Sequence, residues 1–213
     1  MLRKLDLADM DVAAQIHRTA FDAALPWLAG RHTPQEDRWF FRQRLFRSCQ
    51  LWGAFDGAQM TGIIAFREDW VDQLYVLPNS QQRGIGTRLL RIAQCELPRL
   101  YLWTFQSNVR ARRFYERRGF LLVEETDGAR NEEKAPDALY LWARNQAQRM
   151  DSASSGGGIR DPLPESPCRS AIIMDDTQFP IPNQRRTLSQ RIVWPPGNLG
   201  VVRLAGAREG GPG

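Results

Sequence analysis

The sequence predicts a mixed α/β fold, with one central and mostly antiparallel sheet of six or seven strands and helices on both faces. In the first half of the chain, strand-like segments follow each other through tight turns, which is typical of antiparallel hairpins. Farther along, two strand-like segments each lead into an amphipathic helix, which is typical of βα units. Hairpins followed by βα units place antiparallel and parallel neighbours in the same sheet.

Two helices are predicted after a short first strand at residues 2–5. The first runs from Asp9 to Phe21, with an apolar face expected to comprise Val12, Ile16, Thr19 and Ala20. The second begins at Thr33-Pro34-Gln35-Glu36, which supplies an N-cap, a proline at the first helical position and a glutamate that closes a capping box. Its apolar face is expected to comprise Trp39, Phe40, Phe41, Leu45 and Phe46.

A meander of three strands is predicted next. Residues 51–55 and 59–66 alternate around Asp56-Gly57, which is a strong hairpin signal. The third strand covers residues 70–77 and stops at Pro78, because proline has no N–H to donate to a ladder.

The two βα units come after this meander. Ile85, Leu89, Ile92 and Ala93 recur at helical spacing, and Pro98 ends that helix. Residues 99–104 form a strand, and Ser107 or Asn108 caps the next helix, which Gly119 ends. Strands at 120–125 and 138–143 complete the order, joined by a loop over 126–137.

Composition suggests one domain followed by an extension. The chain has 213 residues, of which 42% are hydrophobic and 25% charged, which suits one globular domain at residues 1–149. Residues 150–213 are rich in Gly, Pro and Ser without a repeat, and this extension is predicted to be largely disordered. No apolar run is long enough to span a membrane and the N-terminus lacks a signal core, so a cytoplasmic protein without membrane contact is expected.

The formal net charge of +5 has two interpretations. Much of the excess lies in one helix, at Arg110, Arg112, Arg113, Arg117 and Arg118. The favoured interpretation is a solvated face that also attracts an anionic ligand, and the less favoured one is a nucleic-acid patch. With only His17 and His32 in the chain and three widely spaced cysteines, no metal site is expected.

The most informative segment is the glycine turn, Gln81-Gln82-Arg83-Gly84-Ile85-Gly86-Thr87, which lies between a strand and a helix. Such a turn directs several N–H groups at one point near a helix N-terminus, an arrangement that binds phosphate or pyrophosphate. The P-loop is excluded because no lysine lies nearby. The dinucleotide fingerprint is excluded because Leu89 occupies the place of its third glycine.

The pattern Gln81-x-x-Gly84-x-Gly86, entered directly from a strand, resembles the acyl-CoA-binding motif of the GNAT superfamily of N-acyltransferases. A second half-motif stands at the family's spacing, with a strand, Asn108, and then Phe114-Tyr115-Glu116-Arg117-Arg118-Gly119-Phe120. The resemblance covers residues 1–144. It implies a sheet splayed between its fourth and fifth strands, with the pantetheine arm in the gap.

The resemblance implies an acetyl-CoA-dependent N-acetyltransferase that acts on a primary amine by direct attack in a ternary complex. No cysteine is placed for a covalent acyl-enzyme. The alternative is a non-catalytic module that binds acyl-CoA for regulation. The acceptor, a small molecule or a protein or peptide amine, stays open, nucleic acid is not favoured as a partner, and a homodimer is what the family often implies.

Site roles follow from the same resemblance. The Val76 N–H would polarise the thioester carbonyl, Asn108 would reach the pantetheine region, and Tyr115 would be the general acid that protonates the leaving thiolate. The residues expected to bind acetyl-CoA are Leu74, Tyr75, Val76, Gln81, Gln82, Arg83, Gly84, Ile85, Gly86, Thr87 and Asn108.

The general base is the least determined role. Asp72, on the strand beside the thioester, ranks first. Further acidic candidates are Glu68, Asp69, Glu132 and Glu133.

The acceptor pocket has weaker candidates. Trp27, His32, Trp39 and Trp70 are candidates for its wall, although the aromatics are expected mainly in the core and His32 at the surface. The charged loop before the last strand is expected to be solvated, with contact to the acceptor cleft as the alternative.

Overall fold

The computed structural model describes residues 1–144, which contain a seven-stranded sheet in the order β1-β2-β3-β4-β5-β7-β6. All neighbouring strands are antiparallel except β4 and β5. The predicted fold class is confirmed. The strands are β1 Leu2–Lys4, β2 Gln50–Asp56, β3 Gln59–Arg67, β4 Trp70–Val76, β5 Arg99–Phe105, β6 Leu121–Thr126 and β7 Asp137–Ala143.

Five helices cover the two faces of this sheet: α1 Met10–Ala24, α2 Pro34–Phe40, α3 Phe46–Ser48, α4 Ile85–Glu96 and α5 Val109–Glu116. On one face, α1 and α2 pack on Ile63 and Ala65 of β3. On the other face, α4 and α5 pack on Ile64 and Phe66 of the same strand. Successive residues of β3 therefore alternate between two cores, as a strand buried on both faces requires. The predicted extension at 150–213 lies outside the described residues.

The second N-terminal helix starts where the sequence predicts, but its later course and the buried face of α1 differ from the prediction. Thr33 and Glu36 close the capping box, with the Thr33 N–H donating to Glu36 Oε2 at 2.7 Å. The second helix then passes through a π-helical segment, Phe41–Leu45, into α3. In α1 the predicted face is rotated, because Val12 is 45% exposed whereas Ala13, Ile16 and Ala20 are buried. Ala13, Ile16 and Ala20 recur at i, i+3 and i+7, and this stripe faces the sheet.

The fourth and fifth strands separate almost at once, and the predicted splay is confirmed. Their register contains the single pair Trp70↔Tyr101, supported by the Tyr101 N–H donating to the Asp69 carbonyl at 2.7 Å. On the other edge of β4, the pairing with β3 passes from Ala65↔Gln73 to Phe66↔Val71. Asp72 is therefore the extra residue of a β-bulge, a feature that bends a strand and redirects side chains.

Within residues 1–144, no helix is long and apolar enough to cross a membrane.

Candidate active site

From Gln82 onward, the backbone N–H groups of the glycine turn have no hydrogen-bond partner within residues 1–144. Gly84 (φ 75°) and Gln82 (φ 66°) adopt the left-handed conformation that reverses the chain before α4. The Arg88 N–H donates to the Gly84 carbonyl, but none of the N–H groups from Gln82 to Thr87 donates to another group in residues 1–144. These groups lie at the positive end of α4, so they form a cradle for an anion.

Gly86 lets this turn approach its neighbours closely. A Cβ at Gly86 would lie 3.2 Å from the ring of Phe114 and 3.8 Å from Val76 Cγ2. The turn is therefore held against both the end of β4 and the helix α5. A side chain here would push these elements apart.

Arg118 places a cation beside the same cradle. Its Nε donates to Thr87 Oγ1 at 3.0 Å and its Nη1 to the Phe114 carbonyl at 2.7 Å. Its guanidinium also stacks on the Phe114 ring, 3.6 Å from the ring centroid. Burial and the neighbouring Arg117 lower the pKa of Arg118, which shows that its charge is poorly solvated and suited to an anionic partner. Sequence reasoning assigned Arg118 only to a basic cluster.

The edge of β4 offers main-chain groups to the gap. The Leu77 N–H donates to the Thr61 carbonyl at 2.9 Å, and alternate residues of a strand point to opposite edges, so the Val76 N–H faces away from β3. The side chain of Gln81 donates to the Val76 carbonyl at 2.9 Å. Gln81 thus orients the end of the strand, while the Leu74 and Val76 N–H groups remain directed at the gap.

A cleft of about 150 Å³ lies beside this edge. Its wall includes Leu74 of β4, Leu102 of β5, and Asn108 and Tyr115 of the β5–α5 unit. The predicted residues Tyr115, Asn108, Asp72, Leu74 and Tyr75 are therefore brought together.

Tyr115 lies between the hydrophobic core and this cleft. It is 9% exposed and packs its ring on Phe114 and Phe120. Burial raises the pKa of its phenol, which keeps the proton on Tyr115 at neutral pH. Asn108 caps α5, since its Oδ1 accepts from the Ala111 N–H at 3.1 Å, and it also lines the cleft; its role at the pantetheine arm stays a prediction.

Asp72 lines the cleft but is shared with other groups. Arg67 forms an ion pair with it, with 3.2 Å between Nε and Oδ2, and the Cys49 thiol donates to Oδ2 at 3.7 Å. Burial and the charge of Asp72 raise the pKa of Cys49 to about 12, so this thiol is not a thiolate nucleophile at neutral pH. The role of Asp72 as the base stays a prediction.

The loop between β6 and β7 is built around a buried side chain, while its charged residues Asp127, Arg130 and Lys134 are exposed, as expected of a solvated loop. Asn131 is 1% exposed, and its Nδ2 donates to the Ala135 carbonyl at 2.7 Å and to Asp137 Oδ2 at 3.0 Å. The Ala135 N–H donates to Asn131 Oδ1 at 3.1 Å. These hydrogen bonds of Asn131 hold the loop so that Glu133 lies in the wall of the cleft.

The segment after α1 closes over the cleft and meets that loop. Arg31 Nη2 donates to the Glu132 carbonyl at 3.1 Å, and His32 Nε2 lies 3.6 Å from Glu132 Oε1. Leu25, Leu28, Phe105 and Ala135 form a small apolar cluster beneath this contact. Of the four aromatic candidates for the pocket, the described wall contains only His32, which was expected at the surface.

Several buried polar atoms in this wall lack a hydrogen-bond partner within residues 1–144. They are His17 Nδ1, Arg18 Nε, Gln73 Oε1, Trp103 Nε1 and Glu133 Oε2. Burial lowers the pKa of His17 to about 3, so its ring is neutral. Buried polar atoms are normally bonded, so this concentration marks a place where a polar ligand binds. No composition or spacing signal points to these residues, because they come from α1, β4, β5 and the loop between β6 and β7.

Comparison with known proteins finds similar sequences and structures. Residues 15–120 match the model of the Acetyltransferase (GNAT) family. A probable N-acetyltransferase of Mycobacterium tuberculosis, Rv2775, is 39% identical over 79 residues, which are 33% of this chain and 45% of that protein. An uncharacterized N-acetyltransferase of Escherichia coli, YafP, is 33% identical over 93 residues, which are 42% of this chain and 56% of that protein. The chain thus spans about half the length of these curated relatives.

Solved structures share the fold. The apo form of YjaB from Escherichia coli has a TM-score of 0.57 and 19% identity, with 67% of this chain and 96% of that chain covered. The PaiA N-acetyltransferase of Thermoplasma acidophilum, solved with coenzyme A, has a TM-score of 0.52 and 19% identity, with 67% and 98% covered.

We predict that Asn131→Ala lowers the free energy of unfolding by about 2–3 kcal/mol, because it leaves buried main-chain groups of Ala135 unpaired. Urea denaturation measures this difference. Asn79→Ala is the control, since Asn79 is exposed, and its effect should stay within about 0.5 kcal/mol. Equal effects of the two substitutions would contradict the structural role of Asn131.

Proposed function

The chain belongs to the GNAT acetyltransferase family, and we propose that it is an N-acetyltransferase that transfers an acetyl group from acetyl-CoA to a primary amine. One observation carries the proposal: the unbonded N–H groups of the glycine turn adjoin the same strand edge that Tyr115 faces across the cleft. The relatives named as N-acetyltransferases and the structure of PaiA with coenzyme A support it.

Two main-chain segments bind acetyl-CoA in this proposal. The pyrophosphate oxygens accept hydrogen bonds from the N–H groups of Gln82, Arg83, Gly84, Ile85, Gly86 and Thr87, and Arg118 adds a fixed positive charge. The free edge of β4 at Leu74, Tyr75 and Val76 pairs with the amides of the pantetheine arm as a neighbouring strand would. Gln81 holds the end of that edge in place.

The cleft residues then act on the thioester. The Val76 N–H donates to the carbonyl oxygen and stabilises the negative charge that develops there. The amine attacks directly, since no cysteine is among the residues that line the described part of the cleft. The phenol of Tyr115 gives its proton to the departing sulfur. Asn108 lines the cleft beside Tyr115, and Asp72 is the first candidate for the base that receives a proton from the amine.

Some features remain predictions. The acceptor, a small molecule or a protein or peptide amine, stays open. The cytoplasmic location is expected from the lack of a signal core and of a long apolar run, the homodimer from the family, and the division at residues 149 and 150 from composition. Since the elements that form the site end with β7 at Ala143, truncation after Arg149 should leave acetyl-CoA binding unchanged in calorimetry. A loss of binding in the truncated protein would assign a role to the extension.

We expect calorimetry with the intact protein to detect saturable binding of acetyl-CoA, and Arg118→Gln to weaken it about tenfold or more. One charge-assisted hydrogen bond to an anion is worth about 1.5–3 kcal/mol. Arg117→Gln is the matched control, because Arg117 is exposed on the same helix end. An absence of binding by the unmodified protein would refute the proposed function.

Tyr115→Phe separates an enzyme from a non-catalytic module. In an enzyme the substitution should lower kcat by about 100-fold, because the sulfur leaves without a proton donor, while the affinity for acetyl-CoA is unchanged. CoA release from acetyl-CoA with a panel of amines measures the rate. Tyr101→Phe, a buried tyrosine of β5 outside the described wall of the cleft, should stay within about twofold of the unmodified protein. Undiminished kcat in Tyr115→Phe would remove the general acid from the mechanism.

A further inference from the structure

The acceptor end of the cleft holds unsatisfied polar atoms of both kinds. Gln73 is 5% exposed, and its Oε1 and the Glu133 Oε2 are buried acceptors without partners in residues 1–144. Across the same wall, the Trp103 Nε1–H is a buried donor without a partner in that region. Leaving such groups unpaired costs free energy, so the ligand that belongs here supplies hydrogen-bond donors and also an acceptor.

The charge of the wall favours a cation. Asp22, Asp37 and Glu133 line it together with Asp72, whereas its only cationic side chains within residues 1–144 are Arg18 and Arg31. Arg18 is already paired with Asp37, and Arg67 from outside the wall is paired with Asp72.

The neighbours of Glu133 leave its carboxylate available. The titratable and charged groups that face it are Glu132 and Asp137 near its own loop, Arg31 from the segment after α1, and Tyr75 from β4. Arg31 is itself bonded to the Glu132 carbonyl. His17, elsewhere in the wall, adds no charge because its ring is neutral.

Two segments that meet beside the cleft limit the space for the acceptor. The segment at residues 25–32 and the loop before β7 are joined by the Arg31 and His32 contacts to Glu132 and by the apolar cluster of Leu25 and Leu28. An extended peptide needs an open groove along the surface. The cleft beside this contact has a volume of about 150 Å³, which suits a small molecule better than an extended peptide.

We propose that the acceptor is a small polar primary amine bound as its ammonium ion, and that Glu133 binds this ammonium and accepts its proton. The proposal rests on the proposed N-acetyltransferase function and specifies its acceptor and base. Gln73 and Trp103 bind the ammonium and a second polar group of the same molecule.

Glu133 and Tyr115 account for every proton that moves in the reaction. One proton passes from the ammonium to the Glu133 carboxylate, and the nitrogen lone pair then forms the C–N bond with the thioester carbon. The C–S bond breaks with its electron pair on sulfur, which takes the proton of Tyr115. The second proton leaves the nitrogen as the amide forms and restores the Tyr115 phenol. Glu133 releases its proton to solvent after the product leaves.

Glu133 is a better base than Asp72 in this geometry. The guanidinium of Arg67 and the thiol of Cys49 already occupy both oxygens of Asp72, so an incoming ammonium has to compete with them. Glu133 Oε2 has no such competitor in residues 1–144. Burial also raises the pKa of Glu133, which brings its proton affinity closer to what a base needs near neutral pH. Asp72 then serves to position β4 through its bulge.

The first test is an amine panel assayed for CoA release: ethanolamine, glycinamide, propylamine, and a hexapeptide with an N-terminal alanine and an internal lysine. Ethanolamine and glycinamide should exceed propylamine and the peptide in kcat/KM by about tenfold, since only they satisfy both kinds of wall atom. A preference for the peptide or propylamine overturns the proposal. Saturable acetyl-CoA binding without turnover of either small polar amine also overturns it, while the family's coenzyme binding would still stand.

The second test compares Glu133→Gln with Asp72→Asn and with Glu124→Gln, an exposed glutamate of β6 that serves as the matched control. At pH 7, Glu133→Gln should lower kcat/KM for the amine by about 100-fold without changing KM for acetyl-CoA. Asp72→Asn should cost less, and Glu124→Gln should stay within twofold. Glu133→Gln activity near that of the unmodified protein overturns the proposal, as does a larger loss in Asp72→Asn.

The pH profile distinguishes a base from a merely structural residue. In the unmodified enzyme, kcat/KM should fall only as the pH drops through the raised pKa of Glu133, because the ionised carboxylate is the active form. In Glu133→Gln, only the small fraction of neutral amine reacts, so kcat/KM should rise about tenfold per pH unit from pH 6 to 8. If that variant does not fold, Glu133→Asp replaces it and should retain the shallow profile of the unmodified enzyme. Identical profiles in Glu133→Gln and the unmodified enzyme overturn the assignment.

Discussion

The separation of β4 from β5 after one register pair is the constraint on which the site depends. A parallel strand paired along the whole of β4 would form hydrogen bonds with the main-chain groups of Leu74 and Val76. Since β5 diverges beyond Tyr101, the N–H groups of both residues point into a gap that a ligand can fill, while the Val76 carbonyl accepts from the Gln81 side chain. The same divergence opens the cleft that Tyr115 lines, so ligand binding and catalysis in the proposal both follow from one break in the sheet.

The two ends of this gap have opposite electrostatic character. At the glycine turn, unbonded N–H groups, the positive end of α4 and the guanidinium of Arg118 all favour an anion. At the other end, carboxylates outnumber the cationic side chains of the described wall. A molecule with phosphates at one end and a cationic co-substrate at the other matches this polarity. The modest positive net charge of the chain hides the division, because it sums over both ends.

Packing between distant segments gives the acceptor end its shape. The loop before β7 is ordered by the buried amide of Asn131, and the segment after α1 reaches it through Arg31 and His32. The segment after α1 contains one short 3₁₀ helix, Pro26–Leu28, and the loop before β7 contains no helix or strand. The loop brings Glu133 to the cleft that Gln73 of β4 also lines.

The sequence by itself predicted the order of the strands and helices, most of their limits to within a few residues, and the glycine turn, and it selected Asn108 and Tyr115, whose roles in the reaction stay predictions. These features have local causes: periodicity, turn chemistry and capping act between residues a few positions apart. The rotated face of α1, the ion pair of Asp72 and the order of the β6–β7 loop were decided only by the tertiary structure. So were the contact of Arg118 with Thr87 and the unpaired atoms of Gln73, Trp103 and Glu133. These depend on which side chains meet across elements far apart in the chain, and no local pattern encodes such meetings.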